Sequence, residues 1–113
     1  MEIRRGDVVL AAIPGDFGKP GPKLVIQSDL FNPTHPSVLI CPITRHLVDA
    51  PLFRLTIEPT QGNGLKTKSQ LMVDKLVAVK RERLGARIGR ISETQIAKVN
   101  DALRMWLELG DTE

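Results

Sequence analysis

Asp7-Val8-Val9-Leu10-Ala11-Ala12-Ile13 runs straight into Pro14-Gly15-Asp16-Phe17-Gly18-Lys19-Pro20-Gly21-Pro22, and the contrast between the two stretches sets the architecture. The first is short and almost wholly apolar. It predicts a strand over 7–13 that is buried on both faces or crosses a small barrel. The second holds three prolines and three glycines in nine residues. It can neither continue a strand nor start a helix, so it is a loop. Most loops run about four to six residues, and longer ones are often functional.

Further strands follow from the same reasoning. Lys23–Gln27 has an apolar centre at Leu24-Val25-Ile26. A connection over Ser28–Pro36 leads to a third strand, Ser37–Ile43, with Pro42 near its end, where a missing N–H is tolerated. Leu52–Ile57 alternates, placing Phe53, Leu55 and Ile57 on one face and Arg54 and Thr56 on the other. Pro59–Gly64 is a turn. Ser69–Asp74 with Leu76–Val79, and then Ala86–Ile91, supply the remaining strands.

The period then changes. Ser92-Glu93-Thr94-Gln95 fits a capping box, and Ile91 and Ile96 occupy the positions of a hydrophobic staple. Ile96, Val99, Leu103 and Trp106-Leu107 recur at helical spacing, and Gly110 is placed to end the helix. The expected fold is one domain over 1–113. It is mainly β with helices: a small antiparallel barrel over 3–91 closed by an amphipathic C-terminal helix over 92–109.

Composition excludes several classes. The chain has 113 residues, 42% hydrophobic and 26% charged, as in an ordinary globular domain. One cysteine, Cys41, cannot form an intramolecular disulfide. With only two histidines, a four-ligand zinc site is not expected. No apolar run approaches the roughly 20 residues of a membrane span. The polar opening Met-Glu-Ile-Arg-Arg-Gly-Asp lacks the apolar core of a signal peptide, so the cytoplasm is the expected location.

The net charge of +3 is mild, but its distribution is not. Between Lys66 and Arg90 lie Lys66, Lys68, Lys75, Lys80, Arg81, Arg83, Arg87 and Arg90, against only Asp74 and Glu82. Such a segment suits a polyanionic partner, although a solvated charged face is the plainer reading.

Signatures of catalysis are sparse. No phosphate-binding loop and no paired-histidine metal motif occurs. Cys41 sits inside an apolar strand, where a thiol is inert packing. What remains is polar groups where strands meet loops: Thr44-Arg45-His46 after the third strand, and Asp16, Lys19 and Lys23 around the long loop. Such groups suffice for RNA cleavage without a metal. The 2′-hydroxyl is the nucleophile, and the protein supplies proton transfer and donors for the phosphorane charge.

These pieces, taken in order, resemble the MazF/PemK-type toxins of bacterial toxin–antitoxin systems. The matching pieces are Arg5-Gly6-Asp7-Val8-Val9, the loop from Gly15 through Pro22 into Leu24–Asp29, and Cys41-Pro42-Ile43-Thr44. Asn63-Gly64-Leu65, Ser69–Lys75, Arg81–Gly85 and Gly89-Arg90-Ile91 complete them. The resemblance implies an SH3-like barrel, usually a homodimer. It implies metal-independent, sequence-selective cleavage of single-stranded RNA to a 2′,3′-cyclic phosphate and a 5′-hydroxyl. No cofactor is implied. The implied partners are the RNA, a cognate acidic antitoxin lying along the RNA groove, and operator DNA reached mainly through the antitoxin.

Carried over by position, the family's catalytic threonine falls on Thr44, and an acidic loop residue, a base or substrate-positioning group, falls on Asp16. The family commonly places an arginine directly before the proline that opens the second strand. Here that proline is Pro22, and the preceding residue is Gly21. Three explanations compete: the chain is an inactivated form, Lys19 or Lys23 supplies the cation, or Arg45 does. The first is the expectation, which makes the chain a weak or dead nuclease restored by Gly21→Arg. Lys19, Lys23, Arg45, Lys66, Lys68, Lys75, Arg81 and Arg83 are the expected RNA contacts. Two alternatives remain. One is a CcdB-like gyrase poison, which Met105-Trp106-Leu107 invites. The other is a non-catalytic nucleic-acid-binding barrel, which three Phe, one Trp and no Tyr make a poor stacking platform.

Overall fold

Val8 and Val9 are both fully buried, one against each of two apolar clusters, and this explains why the first strand is apolar on both faces. The computed structural model describes residues 2–110, so the extreme ends of the expected 1–113 domain lie outside the described residues. Seven strands are seen: β1 (Asp7–Ala11), β2 (Gly21–Val25), β3 (Ser37–Thr44), β4 (Arg54–Ile57), β5 (Ser69–Met72), β6 (Val77–Lys80) and β7 (Arg87–Arg90). One helix, α1 (Glu93–Trp106), follows. All strand pairings are antiparallel, in the order β4-β5-β3-β2-β1-β7, with β6 also on β3. The expected small barrel with a C-terminal helix is therefore a curled, seven-stranded half-barrel.

β3 organises the curl. One edge pairs with β2. The other pairs with β6 through Ser37–Ile40 and with β5 through Ile43 and Thr44. The 3₁₀ turn Val73–Lys75 sits between β5 and β6 and bends the chain from one pairing to the next. Pro42 falls at that change of partner, where its missing N–H interrupts no ladder on the outer edge.

Val8, Leu24 and Cys41 share one face of the sheet, which α1 covers with Val99 and Ala102. Val9, Val25 and Ile40 share the other face with Ile3, Val38 and Val79. Asn63 pins the turn before β5: its Oδ1 accepts from Thr60 and Leu65 N–H, and its Nδ2 donates to the Glu58 carbonyl. β7 lies so close to this turn that a Cβ on Gly89 would fall within the backbone of Asn63.

Several boundaries differ from the sequence expectation. β1 ends at Ala11 rather than Ile13, and β2 starts at Gly21 rather than Lys23. β4 begins at Arg54, β5 stops at Met72, and β7 runs only Arg87–Arg90. Thr44 is the last residue of β3, not a residue after it. Ser92 caps α1 as expected, its side chain accepting from Gln95 N–H at 3.1 Å. The helix stops at Trp106, not at 109. Glu108, not Gly110, takes the left-handed conformation at φ +58°, with Leu109 N–H bonded to the Arg104 carbonyl and Glu108 N–H to the Met105 carbonyl. This is a Schellman ending built on glutamate.

Candidate functional site

Register brings the candidate residues together. Lys23 on β2 is opposite Pro42 on β3. Continuing that register by two residues sets Gly21 level with Thr44, on the face of the sheet away from α1. Thr44 in turn is opposite Gln70 on β5. Lys23 and Thr44 are thus diagonal neighbours on one face, a separation of about 7–8 Å between backbones that a long side chain can span.

Thr44 is half-buried, and its Oγ1 accepts the His46 N–H at 3.1 Å. The hydroxyl proton remains available for donation. Gln70 is buried beside it and bonds the Val48 backbone twice, accepting from N–H at 3.0 Å and donating to the carbonyl at 2.9 Å. It fastens the segment that leaves Thr44. Sequence reasoning passed over Gln70; the signal was a single amide inside the otherwise apolar run Gln70-Leu71-Met72-Val73.

Asp16 reaches the same place from the loop. Its Oδ2 lies 3.1 Å from Lys23 Nζ and accepts the Ile13 N–H at 3.0 Å. Burial pushes the Asp16 carboxyl up, but the Ile13 N–H and the Lys23 ammonium outweigh it and hold the group below its ordinary value. Asp16 is therefore a charged anchor and a weak proton acceptor. Lys23, expected as an RNA contact, is only 2% exposed: β2 starts two residues early and the loop folds over it. Lys19 and Phe17 stay outside, and Phe17 is in the left-handed region at φ +53° and 97% exposed. Arg45 is exposed just past Thr44.

The basic segment divides by role. Arg81, expected as an RNA contact, instead clamps the 32–35 loop, donating from Nη2 to the Asn32 and His35 carbonyls and from Nε to the latter. Arg87 and Arg90 both face the buried carboxylate of Asp7, at 3.1 and 3.2 Å. Lys68 lies 3.8 Å from Glu58 at the surface. Lys66, Lys75, Lys80 and Arg83 are exposed, with no ion pair among the described residues. A single continuous +6 patch is not what the fold makes of this segment.

Cys41 is buried, and burial first, with Asp74 adding to it, pushes its thiol up to about 12, so it is no nucleophile. Trp106 packs on Phe53, ring centres 5.5 Å apart. No group of three or more His, Cys, Asp or Glu among the described residues could hold a metal. No helix of the described residues is long and apolar enough to cross a membrane.

Residues 4–107 match the family model described as "PemK-like, MazF-like toxin of type II toxin-antitoxin system". The chain is 46% identical over 109 residues to a probable endoribonuclease MazF of Mycolicibacterium smegmatis, covering 96% of this chain and 99% of the relative. It is 27% identical to endoribonuclease EndoA of Bacillus subtilis, covering 98% and 99%. Among solved structures, a mycobacterial endoribonuclease in complex with its cognate antitoxin superposes with a TM-score of 0.81 at 19% identity, covering 97% of this chain and 99% of the other. A MazE–MazF structure from Deinococcus radiodurans gives 0.79 at 20% identity, covering 97% and 99%. At those identities the structural likeness speaks to the fold.

Proposed function

The chain belongs to the PemK-like, MazF-like toxins of type II toxin–antitoxin systems, and on that premise we propose that it is a metal-independent, sequence-selective endoribonuclease acting on single-stranded RNA. The observation that carries this reading is the convergence of Thr44, Gly21 and the Asp16–Lys23 pair at one end of the β2–β3 face. A phosphodiester laid across that end meets a hydroxyl donor on β3 and a cation on β2.

The 2′-oxygen bonds to phosphorus and the bond from phosphorus to the 5′-oxygen breaks. Solvent water takes the 2′-hydroxyl proton and supplies one to the 5′-oxygen, leaving a 2′,3′-cyclic phosphate and a 5′-hydroxyl. Thr44 donates its hydroxyl to a non-bridging oxygen as charge builds there. Asp16, already charged and ion-paired, positions rather than accepts the proton. With no guanidinium at position 21, the chain is attenuated, because a compact ammonium replaces a forked donor poorly.

The relatives' names support the endoribonuclease activity, and the antitoxin complexes among the structural neighbours support an antitoxin as partner; the family resemblance extends the proposal to assembly, location and DNA. The chain is a cytoplasmic homodimer held inactive by a cognate acidic antitoxin lying along the RNA groove. Operator DNA is contacted mainly through that complex.

The test compares the chain with Gly21→Arg on single-stranded RNA in excess chelator. Slow cleavage by the first and cleavage faster by about 10²–10³ for the second are expected, with 5′-hydroxyl ends on the products. Equal, vigorous cleavage by both would remove the attenuation. Failure of both to cut would overturn the nuclease reading.

A further inference from the structure

Lys23 is the unusual group of this face. Its ammonium is buried among strands, where a charge is costly unless paired. Asp16 is its one ion-pair partner among the described residues, and an ammonium has three donors. The rest of its surroundings are set by an absence. Gly21, two residues earlier on the same face, has no side chain, and Lys23 Nζ lies 3.2 Å from where a Cβ on Gly21 would stand. Apart from the residues adjoining Gly21 in the chain, no other heavy atom among the described residues comes within 4 Å of that point. The lysine thus leans back along β2 into a notch floored by Gly21, and the notch is level with Thr44 on β3. Gly21 is itself half-buried, so the notch communicates with the surface.

Resting on the nuclease reading above, we infer that Lys23 is a catalytic residue of this chain: its ammonium meets the scissile phosphate through the notch over Gly21, opposite Thr44. Asp16 is the positioning residue that holds the ammonium there. The glycine is then an opening and not merely a loss. A phosphate oxygen entering the notch lies between the Thr44 hydroxyl and the Lys23 ammonium, which is where charge develops as the 2′-oxygen bonds to phosphorus. The lysine acts by its charge and moves no proton.

Three variants test this on a randomised single-stranded RNA pool in excess chelator. Gly21→Met fills the notch with an uncharged chain that pushes the Lys23 ammonium back from it, while both charged residues are kept. Asp16→Asn with Lys23→Met removes both charges together, so no buried charge is left unpaired. Gly21→Arg supplies its own cation. Single-turnover cleavage, binding of the 2′-deoxy pool and thermal melting are read for each. The expected result is measurable cleavage by the unaltered chain and a loss of about 10²-fold in both of the first two variants. Gly21→Met should melt close to the unaltered chain, since the gain from replacing a strand glycine is set against the shift of the Lys23 ammonium, and its binding of the 2′-deoxy pool should change less than about tenfold. Folded Gly21→Met that cleaves within about threefold of the unaltered chain overturns the inference. An inert chain that gains cleavage only with Gly21→Arg overturns the inference too, but leaves the nuclease reading standing. Inertness of the chain and of Gly21→Arg alike removes both. If the double variant does not fold, Gly21→Met decides alone.

Discussion

Arg54 and Asp74 meet through two parallel contacts, Nε to Oδ1 at 2.8 Å and Nη2 to Oδ2 at 3.1 Å. The pair ties β4 to the 3₁₀ turn at which β3 changes partner, with side chains only 12% and 14% exposed. The Arg54 fork holds the Asp74 carboxyl below its ordinary value against the upward push of burial. The pair's stabilisation is therefore complete above the unfolded carboxylate pKa of about 3.9 and is lost as pH falls through the lower folded value. Arg54→Met should cost about 2–4 kcal/mol near neutral pH, because Asp74 is left buried and unpaired. Urea unfolding should show that deficit shrinking as pH falls below about 4. A deficit that is small or constant with pH would contradict the assignment.

Thr44 offers a cleaner separation of fold from chemistry. Its Oγ1 accepts only the His46 N–H, and His46 is exposed, so water can replace that bond. Thr44→Val should leave the melting temperature nearly unchanged. Single-turnover cleavage should fall by about 10²-fold while RNA binding holds. Thr44→Ser, which keeps the hydroxyl, should recover most of the rate. If valine and serine behave alike, the hydroxyl is not donating to the phosphate.

The cations of the 66–90 segment should divide by experiment as they do by position. Lys66, Lys75 and Arg83 are exposed, whereas Arg81 donates to the Asn32 and His35 carbonyls. If the exposed three contact phosphates, replacing each with glutamine should lower RNA affinity and reduce the slope of log affinity against log salt by about 1. Arg81→Gln should instead lower the melting temperature, because it leaves the Asn32 and His35 carbonyls of that loop without their donor. A salt slope that drops for Arg81→Gln and not for the others would reverse the division.

This division marks how far the sequence could be read. Strand identity was legible because Val8-Val9, Leu24-Val25 and Leu39–Cys41 are apolar on consecutive positions, which only two-sided burial explains. The helix was legible from its cap and period. Thr44 and Asp16 could be picked out, but their meeting with Lys23 could not. It depends on β2 starting at Gly21 and on the register Lys23↔Pro42, neither of which local sequence encodes. The fate of the basic residues was hidden for a related reason. Their acidic or carbonyl partners, Asp7, Asn32 and His35, lie 46 to 83 residues away in the chain.

The helix ending gives the last prediction. Gly110 looked like the stop signal because glycine adopts the left-handed conformation without strain. The structure instead places that conformation two residues earlier, at Glu108, where φ is +58° and Leu109 N–H closes back on the Arg104 carbonyl at 2.8 Å. The stop comes early because Leu107 and Leu109 are half exposed beyond the sheet, where the helix has no more core to cover. A side chain at that φ strains the backbone, and the left-handed region costs an L-residue on the order of 1 kcal/mol. Part of that gain is offset by the greater freedom of glycine in the unfolded chain. Glu108→Gly should therefore stabilise the fold by about 0.5–1 kcal/mol, read as a higher urea midpoint with an unchanged slope. Because Glu108 lies just past the C-terminal end of α1, and α1 covers the sheet face opposite Thr44 and Lys23, cleavage should not change. A midpoint that falls would mean that Glu108 is held at this φ by contacts of its own side chain.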